Sequence, residues 1–179
     1  MHFFQFIATA SVLVSLLTAC QEGTEATAPT PDDSQNYIKV TFDGQTKVYT
    51  DVSLNDEGSL GSVVSWGMTA GSSANDYLTI SLFGAKAGTY PFRKKIDNYT
   101  QVSQVEYKTH DTSFNNYKAL ICPASSGYYS TDGQVTVTYY NAGKLAKGTF
   151  SGTLLDQNET DECNKVGKPF SGEFFLTKE

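Results

Sequence analysis

The run Tyr37-Ile38-Lys39-Val40-Thr41-Phe42-Asp43-Gly44-Gln45-Thr46-Lys47-Val48-Tyr49-Thr50-Asp51-Val52-Ser53-Leu54 decides the fold. From Tyr37 to Phe42 every second residue is apolar, the two-residue period of a half-buried strand. Asp43-Gly44 interrupts the pattern, and alternation resumes from Gln45 to Leu54. A two-residue Asp-Gly between alternating runs is the strongest short-range hairpin signal, because both residues accept the left-handed backbone that such a turn needs. The chain therefore opens its folded part as an antiparallel hairpin.

Working outward, further strand-like runs follow at Ser62–Thr69, Tyr77–Phe83, Gln101–Lys108, Tyr117–Cys122, Gln134–Tyr140, Leu145–Leu155 and Phe170–Thr177, punctuated by Gly, Asn or Pro. Asn141-Ala142-Gly143 suits a hairpin loop between Tyr140 and Leu145. Beyond residue 36 no stretch repeats apolar residues at helical spacing for three turns. Short strands with such turns predict an all-β domain, an antiparallel sandwich or barrel of about 8–10 strands. Composition agrees: 11 Tyr, 11 Phe and 15 Gly in 179 residues, with only 18% charged, suit pleated sheet better than helix. The 143 residues from Tyr37 to Glu179 suffice for one core.

The N-terminus has a different character. Residues 1–19 hold no Asp, Glu, Lys or Arg, and Phe3–Leu17 is nearly all apolar before Leu17-Thr18-Ala19-Cys20. No basic stop follows, so a cleaved signal fits better than a permanent span. Leu17-Thr18-Ala19-Cys20 resembles the bacterial lipobox, an apolar residue and two small ones ahead of the Cys at the cleavage point. The resemblance implies a signal peptide over residues 1–19 and a mature N-terminal Cys20 carrying acyl chains such as palmitate. Two or more chains anchor firmly where one does so only marginally. Gln21 is similar to the residue that follows Cys in lipoproteins sorted to an outer membrane, facing the periplasm or the cell surface. Residues 21–36, QEGTEATAPTPDDSQN, contain no aromatic or large aliphatic side chain and read as a disordered acidic linker. Lipobox, acidic spacer, opening hairpin and closing Phe-Ser-Gly strands together resemble small lipoproteins of gram-negative bacteria, many of which carry a β-rich domain of unknown function.

The net charge of −6 resides mostly in that linker; the part from Tyr37 onward holds 15 acids and 13 bases. With no basic excess, phosphate neutralisation and hence nucleic-acid binding are not expected. Two histidines and no zinc-type Cys spacing predict neither a metal nor a cofactor. Cys122 and Cys163 remain as an even pair in an oxidising compartment and predict a disulfide. Closing a loop of about 41 residues would contribute about 4 kcal/mol through the unfolded chain.

Catalytic patterns are sparse. His110-Asp111, with Ser125 or Ser126, is the one triad-like set, but neighbouring strand residues point to opposite faces. No Gly-x-Ser-x-Gly or His-Glu-x-x-His occurs. The oxygen-rich Asp156–Glu162 run lacks the Gly and Glu spacing of a calcium loop. Arg93-Lys94-Lys95 after Pro91 reads as protection of an exposed edge. Phe150-Ser151-Gly152 is echoed by Phe170-Ser171-Gly172, as expected of two adjacent strands that bend at one level. Trp66 reads as a core anchor. Tyr128, Tyr129, Tyr139 and Tyr140 are the candidate ligand-binding residues, since outward aromatics serve as platforms for sugar rings or protein partners. The expected function is a non-catalytic, membrane-anchored binding or accessory β-domain for a glycan or protein. The alternatives are a lipocalin-like carrier of an apolar ligand and a hydrolase.

Overall fold

The computed structural model describes residues 35–72, 74–96, 99–110, 114–119, 121–122, 129–130, 133–157 and 167–178. All regular structure there is β, mostly in a nearly closed antiparallel barrel-like sheet, with two further two-stranded pairs. The strands are β1 (Tyr37–Phe42), β2 (Gln45–Tyr49), β3 (Val52–Leu54), β4 (Gly58–Leu60), β5 (Val63–Gly71), β6 (Tyr77–Phe83), β7 (Gly88–Pro91) and β8 (Arg93–Ile96), followed by β9 (Tyr99–Ser103), β10 (Val105–His110), β11 (Phe114–Lys118), β12 (Ile121–Cys122), β13 (Tyr129–Ser130), β14 (Gly133–Asn141), β15 (Leu145–Asp156) and β16 (Lys168–Thr177).

The main sheet runs β2-β1-β16-β15-β11-β10-β6-β5-β3, with β14 and then β7 attached along β15, and β4 on β5. The opening hairpin forms as its sequence demands. Asp43 and Gly44 take φ of 50° and 80°, the paired left-handed conformation of the hairpin turn, and Phe42 lies opposite Gln45. Gln45–Leu54, a single run by alternation, divides at Thr50–Asp51. Its first half pairs with β1 and its second with β5, so one extended segment supplies both ends of the sheet and brings it round on itself. On the other side β15 hands over from β14, which it pairs through Gly152, to β11 at Leu155–Asp156. The remaining gap is bridged by single bonds: Ser81 N–H to Gln104 O, Gln104 N–H to Phe92 O, and Phe92 N–H to Gly133 O, each 2.8 Å.

Among the described residues, the interior is packed with apolar side chains. Ile38, Val40, Met68, Leu78, Ile80, Leu82, Val135, Leu154, Phe174 and Leu176 are buried from every wall. Phe42, Phe92, Tyr107, Tyr117, Phe150 and Phe170 meet in the middle. Phe150 and Phe170 stack at 4.8 Å between centroids, and Phe42 meets Tyr117 at 4.6 Å and Tyr107 at 5.2 Å. Each such pair contributes about 0.5–1.5 kcal/mol beyond its buried area.

The two Phe-Ser-Gly segments lie side by side but antiparallel. Ser151 is opposite Ser171, Phe150 opposite Gly172, and Gly152 opposite Phe170. Asn36, read from sequence as the last linker residue, belongs to the fold. Its side chain accepts the Thr177 N–H at 2.6 Å and donates to the Thr177 carbonyl at 2.8 Å. The residues expected to form the signal peptide, the lipobox with Cys20 and the linker through Ser34 lie outside the described residues, as does Cys163, and with it the expected bridge to Cys122.

Candidate functional site

Two regions gather chemistry-bearing side chains. The first is a rim where β2 approaches β10. Asp76, which ends the β5–β6 turn, is 8% exposed. Its Oδ1 accepts the His110 backbone N–H at 2.8 Å, and its Oδ2 accepts from the Lys47 ammonium and from the Tyr107 hydroxyl. Tyr107 and Tyr49 join through their hydroxyls at 2.9 Å. Burial alone would raise the Asp76 pKa, but Lys47, the His110 amide and Tyr107 together hold it below the usual carboxylate range. Burial, the Tyr49 hydroxyl and the Asp76 charge push Tyr107 up, and burial foremost raises Tyr49.

Beside this network Lys168 donates to Asp43 at 2.8 Å and lies over the Phe42 and Tyr117 rings. That bond, more than any other cause, raises its pKa. Shallow clefts of about 100 and 280 Å³ share Lys47 as a wall. The charged groups here satisfy one another and tie the edge strand β2 to β10 and the β5–β6 turn, so the network works as a latch on the barrel seam.

The second region is the outer face of β1, β16, β15 and β14. Strand register aligns Tyr139, Lys147, Phe175 and Tyr37 in one cross-strand row, of which Tyr37 is buried. The next row holds Thr136, Thr149, Glu173 and Lys39, and the one beyond it Gln134, Ser151, Ser171 and Thr41. A groove of about 260 Å³ runs over Lys39, Thr41, Thr149, Ser171 and Glu173. Lys39 pairs with Glu173 at 3.6 Å, and the Lys147 ammonium lies 5.8 Å from the Phe175 ring centroid. Tyr139 is 51% exposed.

Its outward direction has a local cause. Val135 and Val137 point inward, so strict alternation would bury Tyr139 and expose Tyr140. The register shifts between Val137 and Tyr139, leaving Thr138 as the extra residue of a bulge. Thr138 Oγ1 donates to the Lys147 carbonyl at 3.1 Å. Tyr139 consequently faces out, while Tyr140 turns to stack on Trp66 at 4.3 Å and donates to Glu57 at 2.7 Å. Trp66 itself is buried and donates to the Gly84 carbonyl.

Of the four candidate tyrosines, the structure thus separates Tyr139 from Tyr140. Tyr128 lies outside the described residues, and of Tyr129 only the backbone is described, opposite Cys122. His110 lines the 280 Å³ cleft, whereas Asp111, Ser125 and Ser126 lie outside the described residues. Of the oxygen-rich run only Asp156 and Gln157 are described. Among the described residues no three His, Cys, Asp or Glu side chains form a metal-binding group. Lys47, Asp76, Phe175 and Lys147 were not singled out by sequence. They carry no motif, and only the fold brings them to their partners.

No protein-family model, curated protein or solved structure matches this chain.

Proposed function

We propose that the chain is a lipid-anchored lipoprotein of the bacterial outer membrane whose β-domain binds a glycan, without catalysis, on the outer face of β1, β16, β15 and β14. The observation that carries this reading is the row Tyr139–Lys147–Phe175 beside two rows of hydroxyl, amide and charged side chains. Tyr139 and Phe175 stand two strands apart, roughly 9–10 Å at the usual interstrand spacing, a separation on the scale of two linked sugar rings. Aromatic faces receive the apolar side of a sugar, and Thr, Ser, Lys and Glu side chains exchange hydrogen bonds with its hydroxyls.

A filled interior supports surface binding over carriage of an apolar ligand, since the space a carrier would need is occupied by Phe42, Phe92, Phe150 and Phe170. The lipobox resemblance at Leu17–Cys20 supports the anchor. Asn36, pinned to Thr177, would then fix the end of the barrel at which the tether arrives. Retention of the full chain on insoluble polysaccharides tests the reading: binding that disappears in Tyr139→Ala supports it, and equal retention of both chains counts against it.

A further inference from the structure

Across the core from the Tyr139 face, a separate cleft of about 160 Å³ opens on the outer side of β6, β10 and β11, lined by Thr79, Ser81, Gln104, Val105, Glu106 and Lys118. Thr79 and Ser81 point into it because Leu78, Ile80 and Leu82, their alternating neighbours, are buried on the core side. Thr79 is directly opposite Glu106, and Glu106 opposite Lys118.

Gln104 is the unusual member. It is 1% exposed, and its backbone carries two of the bonds that close the barrel. Its side-chain N–H donates to the Pro91 carbonyl, which fixes the orientation of the amide. The other end of that amide, Oε1, is buried and accepts no hydrogen bond. A buried amide oxygen left without a donor is costly, so the arrangement favours a donor supplied from outside the chain.

The neighbouring charges select among donors. Glu106 lies 3.2 Å from the Lys108 ammonium and 3.6 Å from that of Lys118. Burial would raise the Glu106 pKa, but Asn116 and the two lysines lower it, so the carboxylate stays ionised and remains an acceptor. An ammonium ligand would meet two lysines. A carboxylate ligand would bring no donor for Gln104 and would face Glu106. A neutral polyol meets neither obstacle: its hydroxyls donate to Gln104 and Glu106 while accepting from Lys118, Thr79 and Ser81.

We infer that this cleft is a second binding site, for a single sugar ring or similar small polyol, independent of the Tyr139 face. The test is an amide chemical-shift titration of the isotopically labelled full chain with glucose, and with acetate and methylammonium as charged counterparts. Glucose is expected to give saturable shifts at Thr79, Ser81, Val105 and Glu106 and at the Gln104 side-chain amide, and the two ions none.

Ser81→Ala, which keeps the backbone N–H that bonds the Gln104 carbonyl, and Glu106→Gln are each expected to weaken glucose at the cleft about fivefold, the effect of one lost hydrogen bond, while Tyr139→Ala leaves the cleft shifts unchanged. The inference is overturned by the absence of saturation, by equal shifts with methylammonium, or by glucose binding that survives both substitutions. Glucose shifts confined to Tyr139, Lys147 and Phe175 would overturn this cleft while supporting the glycan platform.

Discussion

Phe150 faces Gly172 across the β15–β16 ladder, and its ring tip lies where a side chain at Gly172 would begin. A Cβ at Gly172 would come within 2.3 Å of Phe150 Cζ and 2.0 Å of the Lys39 carbonyl oxygen. The glycine of the second Phe-Ser-Gly is therefore a seat for the phenylalanine of the first. It lets Phe150 lie flat against the wall and stack on Phe170 in the barrel centre. The first contact is with a ring and the second with backbone, so a methyl group cannot be accommodated by moving one flexible side chain.

Gly172→Ala is accordingly expected to cost about 1–3 kcal/mol or more, the range for overpacking a tight core. Chemical denaturation of the two chains measures it. Ser151→Ala, one position along and exposed, is the control and should stay within about 0.5 kcal/mol of wild type.

How far the sequence reaches is visible in the same elements. Asp43-Gly44 encodes its turn outright, because the backbone conformation is local, and Tyr77–Phe83 matches β6 residue for residue. Alternation, however, says which face a residue takes and not which strand it pairs with. Gln45–Leu54 therefore reads as one strand although its halves pair with β1 and β5. Gly58–Leu60 and Gly88–Pro91 are too short and glycine-led to show a period, yet form β4 and β7. Tyr139 and Tyr140 are visible as a pair, but the bulge at Thr138 that sends one outward depends on the partner strand. Asp76 gives no signal at all, since Lys47, Tyr107 and the His110 amide reach it only through the closed barrel.

Asp76 makes stability depend on acid. Its folded pKa is depressed, so its contribution is fully present above the unfolded value of about 3.9 and is lost as pH falls through the folded value. Asp76→Asn removes the charge facing Lys47 and is expected to cost about 1–3 kcal/mol at neutral pH. Denaturation midpoints measured from pH 7 downward should show the difference between wild type and variant shrinking below about pH 4. A constant gap over that range would mean that the carboxylate charge is not what holds the seam.

Alkaline conditions act on the tyrosines with the opposite sign. Burial, followed by the bond to Glu57, pushes Tyr140 up to about 12, and Tyr107 is raised as well. The unfolded chain ionises first, near pH 10, so the stability these groups supply is complete below that pH and declines as pH rises toward the folded values. In Tyr107→Phe the decline should be shallower, which denaturation at stepwise pH from 8 upward would register.

The proposed anchor is separable from the fold. Cys20→Ala is expected to leave the barrel unfolding transition unchanged while moving the protein from the membrane fraction to the soluble fraction on cell lysis. Metabolic labelling with palmitate should mark wild type and not the variant. An unlabelled wild-type chain would remove the lipoprotein part of the proposal without touching the glycan face.

The central claim is that Tyr139, turned outward by the bulge at Thr138, anchors a sugar on the outer face of the sheet. Its most direct test is calorimetric titration of wild type, Tyr139→Ala and Ser151→Ala with soluble oligosaccharides, alongside their unfolding curves. We predict saturable binding to at least one oligosaccharide, weakened tenfold or more in Tyr139→Ala, an effect of about 1.4 kcal/mol, with both variants as stable as wild type within about 0.5 kcal/mol. Oligosaccharide binding of undiminished affinity in Tyr139→Ala would contradict the account.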